Sequence, residues 1–153
     1  MTLSAAELIG AWAFADWTVT YQDGRTTKPY QPDPGGLLIY DPTGVMSVVI
    51  HAGNRRPLSS RDLQKVPEAE RAKAFDGYFH YSGTWSVRGN EVVHAVTSAL
   101  NPNMIGTDQV RQAELKDGKL TLSLAETLDA GRGRRFHRLA WKRVTDGGRG
   151  AHD

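Results

Sequence analysis

Short segments in which apolar and polar side chains alternate recur along most of this chain, and turn residues separate them. Alternation with a period of two indicates strands with one apolar and one polar face, and short turns between them indicate an antiparallel sheet. The pattern predicts eight strands and an all-β fold. The predicted strands cover residues 10–22, 36–40, 45–51, 78–87, 91–98, 107–116, 119–126 and 134–145.

Turn residues support the hairpins of this meander. Asp23-Gly24 and Asp117-Gly118 are dipeptides typical of two-residue hairpin turns. A long meander leaves two exposed sheet edges unless it closes, and about eight strands close into a barrel with room for one small ligand. We therefore expect a single antiparallel eight-stranded β-barrel over residues 1–145, with a flattened sandwich as the alternative.

Residues 55–77 interrupt the alternation. Pro67 suits the first position of a helix, acidic and then basic residues follow it, and Gly77 can end it. We expect a short helical insertion here, between strands three and four, and a brief helical turn at about residues 5–9. The insertion has apolar side chains that need an apolar surface, so we expect it to cover the barrel mouth as a lid. These side chains are Leu58, Leu63, Val66 and Phe75.

Composition narrows the class of protein. The length of 153 residues fits one domain, and the tail at residues 146–153 is expected to be disordered. The absence of cysteine excludes disulfides and thiolate metal sites. No apolar run approaches the ~20 residues that cross a membrane, and no secretion signal is visible, so we expect a cytoplasmic protein without a membrane partner. The net charge of +2 is too small to indicate nucleic-acid binding.

The sequence lacks the motifs of several kinds of metal, phosphate and catalytic site. The histidines outside the tail show neither His-x-His nor His-x-x-x-His spacing, so we expect no metal and no haem. The arginines at residues 132–138 are divided between two faces by alternation, which favours a solvated loop end over a nucleic-acid interface. A phosphate-binding loop and a Gly-x-Ser-x-Gly elbow are both absent, and we expect no cofactor.

Motifs along the chain share their order and spacing with a known family. Leu8-Ile9-Gly10-Ala11-Trp12 and Trp141-Lys142-Arg143 stand at the two ends of the pattern. The segments between them are Gly36–Tyr40, Gly44–Ser47, Tyr81–Trp85, Val93-His94, Asn101-Pro102, Gly106-Thr107 and Arg111. Together they resemble the lipocalin-like domain family of bacterial and fungal proteins within the calycin group, over about residues 8–145. The resemblance implies a barrel with an internal pocket for a small organic molecule, and no particular reaction.

Trp12 and Arg143 match residues with a structural place in calycins. The resemblance implies that Trp12 lies at the closed end of the barrel and that an arginine of the last strand lies across from it. We expect the Arg143 guanidinium to pack over the Trp12 ring as a cation–π pair, rather than a ligand role for either residue.

Alternation also predicts which side chains face the interior. The predicted apolar wall consists of Phe14, Leu38, Met46, Val48, Ile50, Trp85, Leu122 and Leu139. The predicted polar groups are Asp16, Tyr40, Tyr81, His94, Arg111 and His137. An apolar wall with a few polar groups is typical of small-molecule sites. In the alternative interpretation these groups satisfy one another inside a filled barrel, with Asp16 and Arg111 as a buried ion pair.

Two functions follow from such a pocket. The first is binding of a small hydrophobic or aromatic metabolite by a monomer or homodimer. The second is a cofactor-independent cyclase, isomerase or hydro-lyase. In that case Tyr81, His94 or His137 would act as acid or base, and Arg111 would stabilise negative charge.

Overall fold

A computed structural model describes residues 2–128 and 130–145, so the predicted disordered tail lies outside the described residues. The strands are β1 Gly10–Tyr21, β2 Thr26–Thr27, β3 Gly35–Tyr40, β4 Val45–His51, β5 Tyr78–Arg88, β6 Glu91–Ala99, β7 Asp108–Lys116, β8 Lys119–Thr127 and β9 Arg134–Arg143. The helices are α1 Ala5–Leu8, α2 Glu68–Asp76 and single 3₁₀ turns at Leu63–Lys65 and Pro102–Met104.

The strands form a closed antiparallel barrel. Each of β3 to β8 pairs with the next strand along the chain, and β1 pairs with β3 on one side and with β9 on the other. The β1–β9 register runs from Trp12 opposite Arg143 to Tyr21 opposite Arg135. Because this pairing joins the two ends of the sheet, the eight-stranded barrel is confirmed and the sandwich is excluded.

The helical insertion follows the strand at residues 45–51, but its predicted position between strands three and four is not confirmed, because that strand is the fourth. A two-residue strand, β2, pairs beside β1, so the insertion lies between β4 and β5. Alternation cannot reveal so short a strand, because two residues complete no repeat.

The closed end of the barrel has the expected tryptophan–arginine pair. Trp12 is fully buried, and the Arg143 guanidinium carbon lies 4.2 Å from its ring centroid, which confirms the cation–π prediction. The Trp12 Nε1 donates to the Leu8 carbonyl oxygen at 2.9 Å, and an Arg143 guanidinium nitrogen donates to the Ile9 carbonyl oxygen at 3.0 Å. These bonds hold α1 against the end of the barrel.

A β-bulge in β1 changes which residues face the interior. The register with β9 shifts between Phe14 and Asp16, and Trp17 rather than Asp16 then lines the interior. An extra residue in one strand moves every later side chain to the opposite face. The prediction that Asp16 lines the pocket is therefore wrong. Its carboxylate lies 2.6 Å from the Lys28 ammonium at the surface, which also rules out the buried pair with Arg111.

Gly83 allows two strands to approach closely. A Cβ built on this residue would lie 1.9 Å from the Ala95 carbonyl oxygen of β6, so no larger residue fits without moving the backbone. The register of β5 with β6 also shifts between Ser82 and Gly83.

The insertion is held together by polar bonds between its own residues, and few of its apolar side chains are buried. Val66 is buried, but Leu63 and Phe75 are exposed, contrary to expectation. Arg55 donates to the Ala74 carbonyl oxygen at 2.6 Å, and the Ser59 hydroxyl donates to the Glu70 carboxylate at 2.8 Å. None of the helices among the described residues is long and apolar enough to span a bilayer.

Candidate functional site

The barrel encloses a cavity of about 380 Å³. Side chains from most of the strands line it, together with Tyr30 from the β2–β3 loop and Asn101 and Met104 from the β6–β7 loop. Its apolar wall consists of Trp17, Leu38, Val48, Ile50, Phe79, Met104, Leu122, Leu124, Leu139 and Trp141. Its polar lining consists of Tyr30, Tyr81, His94, Asn101, Gln109, Arg111, Glu126, Arg135 and His137. A cavity of this size and composition suits one small organic molecule.

A second, outer chamber of about 810 Å³ adjoins this cavity. It lies between the ends of β1 and β9 and the insertion, and Leu58 and Lys73 are among its lining residues. Its wall shares residues with the inner cavity, namely Trp17, Tyr30, Arg135 and His137. These residues therefore stand at the mouth, and a ligand that enters from the outer chamber passes them.

Three polar rings form a buried chain beside the cavity. The hydroxyl of Tyr40 lies 2.7 Å from the Nε2 of His94, and the hydroxyl of Tyr81 lies 2.5 Å from its Nδ1. Burial, together with the nearby Arg111 charge, lowers the pKa of His94 to about 3, so the imidazole is neutral near pH 7. Burial raises the pKa of Tyr81 to about 12 and that of Tyr40 well above its ordinary value, so both phenols keep their protons.

The three hydrogen-bonded rings of Tyr40, His94 and Tyr81 have one donor hydrogen more than their two hydrogen bonds use. The two hydroxyls and one imidazole N–H supply three hydrogens for two hydrogen bonds. If the spare O–H belonged to Tyr40, it would be buried without an acceptor among the described residues, which costs about 1–3 kcal/mol. Tyr81 lines the cavity, where water or a ligand can accept. The favoured tautomer therefore has Tyr40 donating to Nε2, Nδ1–H donating to Tyr81, and the Tyr81 O–H available to the cavity.

Arg111 brings a positive charge to the same cavity. It donates to the Val110 carbonyl oxygen at 3.1 Å and to the Gln109 side-chain oxygen at 3.2 Å, both of which are neutral. No Asp or Glu among the described residues lies within salt-bridge distance of it. Its charge contributes to the lowered pKa of His94 and offsets part of the rise in the pKa of Tyr81, which places the guanidinium close to these rings.

Trp141 has a buried donor without a partner. The residue is 1% exposed and lines the cavity, and its Nε1 makes no hydrogen bond to any described residue. Its neighbour Phe14 meets the indole edge-on, with ring centroids 5.6 Å apart, and offers no acceptor. A buried indole N–H usually donates to a hydrogen-bond acceptor, so the Trp141 N–H without an acceptor among the described residues needs a physical explanation.

A hydrogen-bonded network crosses the mouth. The indole of Trp17 donates to the Nδ1 of His137 at 3.0 Å, and since an indole only donates, that nitrogen carries no proton. The Nε2–H of His137 then donates to Glu126 at 3.0 Å. Arg135 donates to the same carboxylate at 2.5 Å, and this bond is the main reason that the pKa of Glu126 is lowered. Both ring nitrogens of His137 are thus in hydrogen bonds to protein side chains, and neither is free to exchange a proton with a ligand.

The predicted site residues divide into two groups. Those at the cavity are Leu38, Val48, Ile50, Tyr81, His94, Arg111, Leu122, His137 and Leu139. Those that do not reach it are Phe14, Asp16, Tyr40, Met46 and Trp85. Apart from Asp16, the second group packs in or against the core toward the end that α1 closes, because alternation gives the face of a residue and not its depth in the barrel.

Several cavity residues were missed from the sequence. Glu126 has the alternation phase of Leu122, and Arg135 that of His137, so this signal was present in the sequence. Trp17 had no such signal, because the bulge that turns it inward cannot be read from alternation. Tyr30 lies in a loop with φ +62°, a left-handed conformation that is uncommon for a tyrosine and directs its ring at Trp17, 5.6 Å away.

No group of three or more His, Cys, Asp or Glu in residues 2–128 and 130–145 is arranged to hold a metal ion. In comparisons with known proteins, residues 9–144 match a family model described as a lipocalin-like domain. Comparison with curated proteins and with solved structures gave no match.

Proposed function

Since the chain belongs to the lipocalin-like domain family, we propose that it binds a small apolar or aromatic organic molecule inside its barrel. The observation that carries this proposal is the enclosed cavity of about 380 Å³ with its largely apolar wall. Pockets of this size hold small organic molecules and bury most of their surface.

The size of the cavity also limits the affinity expected for a ligand. A ligand of about 20 non-hydrogen atoms that gains ~0.3 kcal/mol for each atom binds with about −6 kcal/mol. This free energy corresponds to a dissociation constant of some tens of micromolar, which sets the concentration range of a binding assay.

N-phenyl-1-naphthylamine, an apolar fluorophore that brightens away from water, tests the proposal. We expect saturable binding to the wild-type protein in the micromolar range, with quenching of tryptophan emission because Trp17 and Trp141 line the cavity. Leu139→Phe adds bulk to the cavity wall and should weaken binding several-fold. The matched control, Leu37→Phe, alters a side chain that is 41% exposed and should leave binding unchanged. Absence of saturable binding by the wild type would overturn the proposal.

A second candidate, cofactor-independent catalysis of a cyclisation, isomerisation or elimination, is favoured by the ring chain. Tyr81 keeps its proton at neutral pH and has it free for the cavity, so it suits a general acid toward a substrate oxygen rather than a base. The His94 N–H donates to the Tyr81 oxygen, and the Arg111 charge stabilises the phenolate that forms as the proton leaves. His137 does not fit the acid–base role expected of it, because both its nitrogens are engaged.

The two candidates differ in what happens to the bound compound. Mass spectrometry of the molecule that co-purifies, before and after incubation with excess protein, detects turnover. If the protein is an enzyme, Tyr81→Phe should lower turnover by about 10²–10⁴-fold with binding largely kept. If it only binds, the compound stays unchanged and Tyr81→Phe weakens affinity by about 0.5–1.5 kcal/mol.

A further inference from the structure

The unused hydrogen-bonding capacity of the inner cavity consists of donors. The Trp141 indole N–H has no partner among the described residues, and Tyr81 has a hydroxyl hydrogen beyond its bond to His94. Arg111 has five N–H hydrogens, and the two hydrogen bonds that it makes to described residues go to neutral oxygens.

Most of the side-chain acceptors that line the same space already accept a hydrogen bond. Both nitrogens of His94 and of His137 are in hydrogen bonds. The Gln109 side-chain oxygen accepts from Arg111, and the Glu126 carboxylate accepts from two residues at the mouth. A ligand hydroxyl or amine that needed to donate would find few free acceptors, whereas a ligand oxygen would find several donors.

We propose that the ligand carries a carbonyl or carboxylate oxygen on its apolar or aromatic body, and that Trp141 and Arg111 are the residues that select for it. This inference rests on the proposed function. A guanidinium without a carboxylate partner attracts oxygen acceptors and favours an anionic one most, because charge-assisted hydrogen bonds are about twice as strong as neutral ones. The Trp141 indole N–H gains the hydrogen-bond partner that residues 2–128 and 130–145 do not supply.

Four probes with the same aromatic body test the inference by displacement of N-phenyl-1-naphthylamine. They are naphthalene, 1-acetonaphthone, 1-naphthoic acid and 1-naphthylmethylamine. We expect the ketone to bind roughly tenfold more tightly than naphthalene and the carboxylate at least as tightly as the ketone. The amine should bind more weakly than naphthalene, because it brings donors and a positive charge to a cavity of donors.

Variants identify the residues responsible. Trp141→Phe and Arg111→Met should each reduce the ratio of ketone to naphthalene affinity several-fold. The control, Trp85→Phe, removes an indole N–H that already donates to the Asp41 carbonyl oxygen and does not line the cavity, so it should leave this ratio unchanged. The ratio is the readout because a loosely packed variant loses affinity for both probes together. If Trp141→Phe does not fold, the partly exposed Arg111 provides the same test.

The outcomes separate this inference from the proposed function. If none of the four probes displaces the fluorophore and the fluorophore itself does not bind, the proposed function fails. If naphthalene, the ketone and the carboxylate bind equally, or the amine binds best, the barrel is a binding protein and the oxygen-selective site is refuted. If the preference exists but survives both Trp141→Phe and Arg111→Met, the assignment to these residues is refuted.

Discussion

Acid should destabilise this barrel through one histidine before its carboxylates titrate. His94 is 2% exposed, its two nitrogens are bonded to Tyr40 and Tyr81, and Arg111 is the charged group nearest to it. Protonation in the folded state would place a second positive charge beside the guanidinium and leave it without a counter-charge. The burial that lowers the pKa of His94 to about 3 therefore opposes protonation of the native protein.

The sign and size of the effect follow from linkage. The pKa of His94 is about 3 when folded and near its ordinary 6.5 when unfolded, so below pH 6.5 the unfolded chain binds a proton that the native state refuses. Stability contributed by His94 is thus fully present above pH 6.5 and is lost as pH falls toward 3. One pKa unit corresponds to about 1.4 kcal/mol, so going from pH 7 to pH 5.5 should cost roughly 1.3 kcal/mol.

Urea unfolding measured in steps from pH 7 to pH 5.5 tests this value against a matched variant. His94→Gln keeps a donor and an acceptor but cannot ionise, so its free energy of unfolding should fall less steeply than that of the wild type. The difference in slope should amount to about 1.4 kcal/mol per pH unit below pH 6. Leu37→Phe, an exposed change that removes no ionisable group, should keep the wild-type slope.

Parallel pH profiles for the wild type and His94→Gln would refute the reasoning. They would mean that the native state accepts the proton at His94, by rearranging Tyr40 or Tyr81 around it. If His94→Gln is too unstable to measure, His94→Asn provides the same comparison.

Three further predictions concern the frame of the barrel. Trp12→Ala should destabilise the protein by about 3–5 kcal/mol in urea unfolding, because it removes a fully buried ring and the partner of Arg143; a melting temperature within a few degrees of wild type would contradict this. Asp16→Asn should change the free energy of unfolding by less than about 0.5 kcal/mol, because the pair with Lys28 is half exposed, and a larger loss would place Asp16 in a more buried role. Amide hydrogen exchange at residues 55–77 should be faster than in the strands and should slow when N-phenyl-1-naphthylamine binds, whereas unchanged exchange would argue against a lid.

The sequence predicted the barrel well because alternation reports a local property. The spacing of Leu120 and Leu122 alone predicts that both side chains face inward, and both are buried in the structure. His94 and Arg111 were placed correctly at the cavity for the same reason. The pairing of Trp12 with Arg143 came from the family resemblance, which supplied a contact between residues more than a hundred positions apart.

The site was predicted less well because it depends on depth and on distant partners. Because of the bulge after Phe14, Trp17 rather than Asp16 faces the interior. The local alternation of apolar and polar residues does not predict this bulge. The partner of Trp17 is His137, which lies 120 residues away along the chain. The bond between Tyr40 and His94 joins β3 to β6 and depends on how far each strand is staggered, which alternation does not report.

The pairing of β1 with β9 also determines when the barrel can close during synthesis of the chain. The first strand to leave the ribosome has its long partner in the last one, so the native contacts with the largest sequence separation can form only when synthesis of β9 is complete. Until then β1 and β8 both present unpaired N–H and C=O groups along a sheet edge. A nascent or truncated chain that lacks β9 is therefore the species most prone to associate with other chains, and factors that shield sheet edges during translation would act on it.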